Sequence, residues 1–167
     1  MKNKALFATL IIVFLLFMFG NSMTTIPGQS SGNGNPAILL LLPLSIFFIV
    51  LTFQWFKFFK DKMMSNKTVI ILSLLIICHH AIGLYYQIMS FQSYRILLAE
   101  VYERQFGTID WDYINSITSG LSIHINNQYF NINTYFLFLS LSLLIWLLSQ
   151  MIISLRRKMG ENSGNKI

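Results

Sequence analysis

The chain reads as an all-α integral membrane protein, a four-helix transmembrane bundle carrying a structured loop between its third and fourth spans. Three observations predict this. Of its 167 residues, 54% are hydrophobic and only 11% charged, against about 25% charged in an ordinary soluble domain. Four apolar runs each approach the roughly 20 residues that a helix needs to cross a bilayer. Basic residues alternate in abundance between successive connections, the pattern of a chain that crosses repeatedly. Four spans occupy about half of such a length, so the chain is one membrane domain over residues 1–167.

The first span is placed at residues 5–26. Its apolar core, "ALFATLIIVFLLFMFG", follows Lys2 and Lys4, and the uncharged "NSMTTI" extends it. A signal peptide has the same plan, and Gly20-Asn21-Ser22 satisfies a small-x-small cleavage rule, so processing near residue 22 is the alternative. Residues 27–35, within "PGQSSGNGNP", form a flexible linker with no means of building a core.

The second span is residues 36–56, with Pro43 expected to kink its first turns. A basic loop, residues 57–68, mixes Trp55, Phe58 and Phe59 with Lys57, Lys60 and Lys62, a composition suited to lipid headgroups. Residues 69–91 are the third span. Residues 134–155 are the fourth, followed by a tail, 156–167, that opens with Arg156, Arg157 and Lys158.

Charge fixes the expected sides. Lys2, Lys4, Lys57, Lys60, Lys62, Lys67, Arg156, Arg157, Lys158 and Lys166 share one side, leaving Arg95 and Arg104 of the 12 basic residues on the other. By the positive-inside rule both termini are cytoplasmic, and the protein is a multi-pass protein of the cell membrane. Its net charge of +6 therefore speaks of orientation and anionic lipid rather than of nucleic acid. Abundant Ile, Asn, Lys and Phe suit an AT-rich, bacterial genome.

The outer loop, residues 92–133, is long enough to fold. In "YRILLAEVYERQF", Tyr94, Leu97, Leu98, Val101 and Tyr102 share a helical face, Ile96 violates it, and Glu100 precedes Arg104 by one turn. This predicts a short amphipathic helix ending at Gly107. "GLSIHINNQYFNI" alternates Leu121, Ile123 and Ile125 with polar residues, which predicts a β-hairpin turning at Asn126-Asn127. Asp110, Asp112 and Asn115 offer oxygen ligands, but helix capping accounts for them more simply than a divalent cation does.

Functional suspicion falls on the third span. His79 and His80 sit near its midpoint, where an ionisable group faces a bundle interior or a water-filled cavity. Projected at 100° per residue, Ser73, His79, His80, Gly83, Tyr86, Gln87 and Ser90 fall within an arc of roughly 140°. Ser142 and Ser149 of the fourth span and Ser45 and Thr52 of the second repeat at seven-residue intervals, and these faces are expected to converge around the histidines as a polar interface or pocket.

Other chemistry is not indicated. Cys78 is the single cysteine, which removes disulfides and redox pairs. No nucleophile, base and orienting carboxylate share one depth, no metal triad or phosphate loop is present, and a bis-histidine haem within one copy lacks its second ligand. The expectation is a protein that is not an enzyme and carries no cofactor or metal. It is expected to be an accessory, sensing or protective protein acting through its outer loop and helix interfaces. Its partners would be the bilayer, another membrane protein or a second copy. The alternative is an ion, proton or small-ligand transport element built on the third-span stripe.

Overall fold

The computed structural model describes residues 2–31, 34–60, 62 and 64–164. Lys166 of the charge pattern lies outside it, as do the side chains of Lys2, Arg157 and Lys158. Four helices are long and apolar enough to cross a membrane. They belong to α1 (Lys2–Ser22), α2 (Leu41–Phe59, preceded by a 3-10 turn over Pro36–Leu40), α3 (Asn66–Phe106) and α6 (Ile132–Gly164). Two short helices, α4 (Trp111–Ile117) and α5 (Asn126–Tyr129), lie between α3 and α6. The up-and-down order gathers Lys4, Lys57, Lys60, Lys62, Lys67 and Arg156 at one end, here the basic end. The opposite, cap end holds the linker after α1 and the segment from Gly107 to Asn131.

Pro43 produces no break in α2. It is the third residue of that helix, where a backbone N–H has no intrahelical acceptor in any case. Asn35 starts the preceding 3-10 turn, its side chain accepting from Ala37 N at 3.0 Å. Ser65 caps α3 in the same manner, accepting from Thr68 N at 3.1 Å.

Packing is unequal among the spans. α1, α2 and α6 share a core built around Val13, Phe17, Leu44, Leu51, Phe130 and Tyr135. Gln54 Nε2 donates to Thr9 Oγ1 at 2.8 Å across α1 and α2, and Trp55 Nε1 donates to Ser142 Oγ at 3.0 Å across α2 and α6. Near the basic end Phe59 stacks on Trp146 with centroids 4.3 Å apart. α3 stands apart from this trio. Its packing with a spanning helix is chiefly along α6, and residues such as Ile70, Leu74, Ile82 and Ile88 are exposed.

Gly20 shows how tight the α1 contact is. A Cβ there would lie 2.5 Å from Phe130 Cγ, and Phe130 is itself buried against Phe17. Because the added Cβ meets the base of a ring held against Phe17, Gly20→Ala is expected to destabilise by about 1–3 kcal/mol through overpacking. A thermal-unfolding midpoint in detergent no lower than that of the parent would contradict this.

Two expectations about the loop are overturned. The amphipathic segment is not a separate helix: α3 runs unbroken for 41 residues, about 62 Å at 1.5 Å per residue. Nothing between Gln87 and Phe106 interrupts helical geometry, and Gly107 ends it with φ 79° while its N–H donates to Glu103 O at 2.8 Å. The buried face is Tyr94, Leu98, Ala99 and Tyr102, and Leu97 is exposed, as is Ile96. Arg104 reaches Glu100 at 3.5 Å on the exposed side.

There is also no hairpin; the described residues contain no strand. Ile123–Ile125 is a 3-10 turn that leads directly into α5. Asn126, read as an exposed turn residue, is fully buried. Its amide is needed inside the cap, and a hairpin turn would place it in water. Asp110 caps α4, accepting from Tyr113 N at 2.9 Å.

Candidate functional site

The predicted polar arc of α3 is divided rather than gathered. Ser73 and Gly83 are buried, and His80 and Gln87 are half-buried. His79 and Tyr86 are exposed. Angular position explains the split: α6 covers a strip centred near Ser73, His80, Gly83 and Gln87, and His79 and Tyr86 lie about 80° and 100° from that centre at 100° per residue. The expected convergence of three helices on the histidines does not occur. Ser142 is buried but faces Trp55 of α2, and Ser45, Thr52 and Ser149 turn their hydroxyls to carbonyls of their own helices.

His80 Nδ1 lies 2.9 Å from Ile76 O, and its Nε2 is buried with no partner among the described residues. His79 stacks edge-on against His80, centroids 5.8 Å apart, and makes no hydrogen bond within the described chain. Neither ring lines any of the principal cavities. No three His, Cys, Asp or Glu side chains among those residues lie close enough to hold a metal ion.

Directly above the histidines, α3 and α6 meet through uncharged amides. Gly83 permits the approach: a Cβ there would be 2.8 Å from Leu137 Cδ2. Asn133 Nδ2 donates to Gly83 O at 3.0 Å and to Gln87 Oε1 at 3.2 Å. Gln87 Nε2 donates to Gln128 O at 2.7 Å, and Ser90 Oγ donates to Gln128 Oε1 at 3.2 Å. Asn131 Nδ2 completes the cluster with Gln87 Oε1, at 3.2 Å.

A second amide group ties the linker into the cap. Asn35 and Asn126 exchange hydrogen bonds, Asn35 Nδ2 to Asn126 Oδ1 at 2.6 Å and Asn126 Nδ2 to Asn35 Oδ1 at 3.1 Å. Asn126 also donates to Met23 O, and Asn21 Nδ2 donates to Phe130 O. Sequence reasoning missed Asn126, Gln128, Asn131 and Asn133. The available signal was their density in "NNQYFNINT" immediately before an apolar span, where each amide must find a partner as the chain enters hydrocarbon.

His124 lies in the same cap, buried, with Nε2 3.2 Å from Ser31 Oγ and its carbonyl accepting from Tyr94 Oη at 2.8 Å. Burial lowers its pKa from the ordinary value, because no described group compensates an imidazolium there. The folded cap thus prefers neutral imidazole, whereas the unfolded state takes up a proton near pH 6.5. Stability is full above that value and is lost as pH falls from it through the lowered folded pKa. Amide exchange over Ile123–Phe130, corrected for its intrinsic rate, is expected to accelerate as pH falls below about 6.5. His124→Gln should flatten the profile; an unchanged profile in that variant would rule the histidine out as its source.

Comparison with protein-family models, with curated proteins and with solved structures finds no match to this chain.

Proposed function

We propose that this protein is an accessory membrane protein that docks a helix of another membrane protein against the His79 flank of α3. In this reading the basic end faces the cytoplasm, both termini included, and the cap projects from the outer face of the cell membrane. The observation that carries the proposal is the exposure of His79 at mid-span, without a hydrogen-bond partner among the described residues, on a helix whose packing with the other spans is chiefly along α6. Lipid cannot hydrogen-bond an imidazole, and leaving such a group unpaired in an apolar medium costs on the order of 1–3 kcal/mol. A partner helix offering one donor or acceptor removes that cost. Further support comes from α3 itself, which continues beyond the span and offers a partner one uninterrupted surface on both sides of the headgroup layer.

The test is site-directed photocrosslinking in native membranes, with the probe at Ile82 or Tyr86, one and two turns along from His79. A discrete protein adduct is expected, reduced several-fold by His79→Leu and missing when the probe is placed at Ile11 on the exposed side of α1. An adduct of twice the chain mass would identify the partner as a second copy. Labelling of lipid alone from both α3 positions would end the proposal.

A further inference from the structure

α1, the first turns of α2 and the start of α6 leave a cavity of about 540 Å³ between them at the cap end. That lies within the roughly 300–1,000 Å³ of ordinary small-molecule sites. Its walls are apolar, formed principally by Phe17, Leu44, Phe48 and Phe138. Polar side chains are confined to one end, where Asn35, Asn126 and Tyr129 close the cap side. Ser45 is the exception in the wall, and it turns its hydroxyl back to Leu41 O at 2.7 Å. No charged residue or histidine lines the space. The mouth opens laterally along α2, past Ile38 and Ile49, which are 40% and 56% exposed.

Depth identifies the occupant. From Leu41 to Ile49 the helix rises about 12 Å, close to the ~15 Å of half a hydrocarbon core. The cavity is therefore one leaflet deep, its polar end lies at the headgroup level, and its open side faces lipid. An apolar space of this kind does not hold water. Hydrocarbon chains are the apolar matter available at that depth. We infer that the cavity seats one acyl chain of a phospholipid from the cap-side leaflet, admitted sideways past Ile38 and Ile49, with the headgroup resting beside Asn35 and Tyr129. Because no charge lines the seat, it selects for the chain and is indifferent to headgroup charge. The inference concerns the α2 side of the bundle and does not depend on what docks against α3.

The full chain reconstituted in phosphatidylcholine vesicles tests this, with a trace of phosphatidylcholine carrying a photoreactive diazirine on one chain and adducts mapped by peptide mass spectrometry. Labelling around Phe48 and Phe138 is expected to be saturable and several-fold above that at exposed Leu74 of α3. Ser45→Phe, which fills the cavity, is expected to reduce it at least fivefold, whereas Ile46→Phe on the exposed face leaves it unchanged. A phosphatidylglycerol probe should give the same pattern. Even labelling over all lipid-facing helices, undiminished labelling in Ser45→Phe, or dependence on headgroup charge would each overturn the inference. Where Ser45→Phe does not fold, the parent chain decides. Labelling at Phe48 that stays several-fold above that at exposed Leu74 at every probe fraction supports the seat, and equal labelling at the two positions refutes it.

Discussion

Asn126→Leu is expected to lower the unfolding free energy by about 2–4 kcal/mol, because it removes a fully buried amide and strands the groups that depended on it. The Asn35 side chain loses both of its bonds to Asn126, keeping those to Leu121 O and Ala37 N, and Met23 O loses its donor. Leucine has the same branching and number of side-chain heavy atoms but supplies no polar atom, so the penalty is that of buried groups left unpaired rather than that of a void. The damage should be local at first. The linker after α1 is fastened to the cap through Asn35 and Met23, so protease cleavage within residues 23–35 should rise sharply before the spans separate. Asn127→Ala is the control: Asn127 Oδ1 accepts a 3.3 Å bond from the adjacent Gln128 and its side chain meets Tyr94, neither contact holding the linker, and a loss below about 1 kcal/mol is expected. Equal effects of the two substitutions, measured by thermal unfolding in detergent, would show that the Asn35–Asn126 pair is not what holds the cap.

Gly83→Leu is expected to detach α3 from α6 in the half of the bilayer nearest the cap. Leu137 Cδ2 and Asn133 Oδ1 already lie 2.8 and 3.1 Å from where a Cβ would be, so a full side chain displaces both. The bond from Asn133 to Gly83 O, 3.0 Å long, then opens together with its link to Gln87. Overpacking alone costs about 1–3 kcal/mol, and each stranded amide adds about 1–3 more. Gly83→Ala should behave differently. Its nearest obstacle is the tip of a flexible leucine, and alanine regains up to about 1 kcal/mol of helix propensity, so a change near zero is expected. The measurement is the distance between spin labels at exposed positions on α3 and α6, such as Ile82 and Phe136. A lengthened, broadened distribution in Gly83→Leu but not in Gly83→Ala is the expected result, and parental distances in both variants would contradict it.

The spans were legible because hydropathy adds over some twenty residues, so single misfits such as Pro43 or His79 do not erase the signal. The extent of α3 was not legible for a related reason: leaving the hydrocarbon changes polarity, not helical geometry, and "YRILLAEVYERQF" reads as amphipathic helix whether or not it continues a span. Alternation at Leu121, Ile123 and Ile125 covers only five residues. That is too few to distinguish a strand from a 3-10 turn followed by helix, and the burial of Asn126 decided the matter. Ser73, Gly83 and Gln87 of the polar arc lie on the side of α3 that meets α6. What periodicity does not contain is how much of a helix its neighbour covers. A single companion buries a narrow strip, and His79 and Tyr86 fell beyond its margin. Ser142 accepts from Trp55 rather than meeting the histidines.

α3 contains no proline, and its one glycine is clamped against α6, so no joint exists where it passes from lipid into water. Such a rod transmits angle. Pivoting by 5° about the amide contacts near Gln87 would sweep its far end, some 28 Å beyond at 1.5 Å per residue, through about 2.5 Å. Whatever leans on the buried half is therefore felt at Phe106, and whatever grips Phe106 is felt in the bilayer.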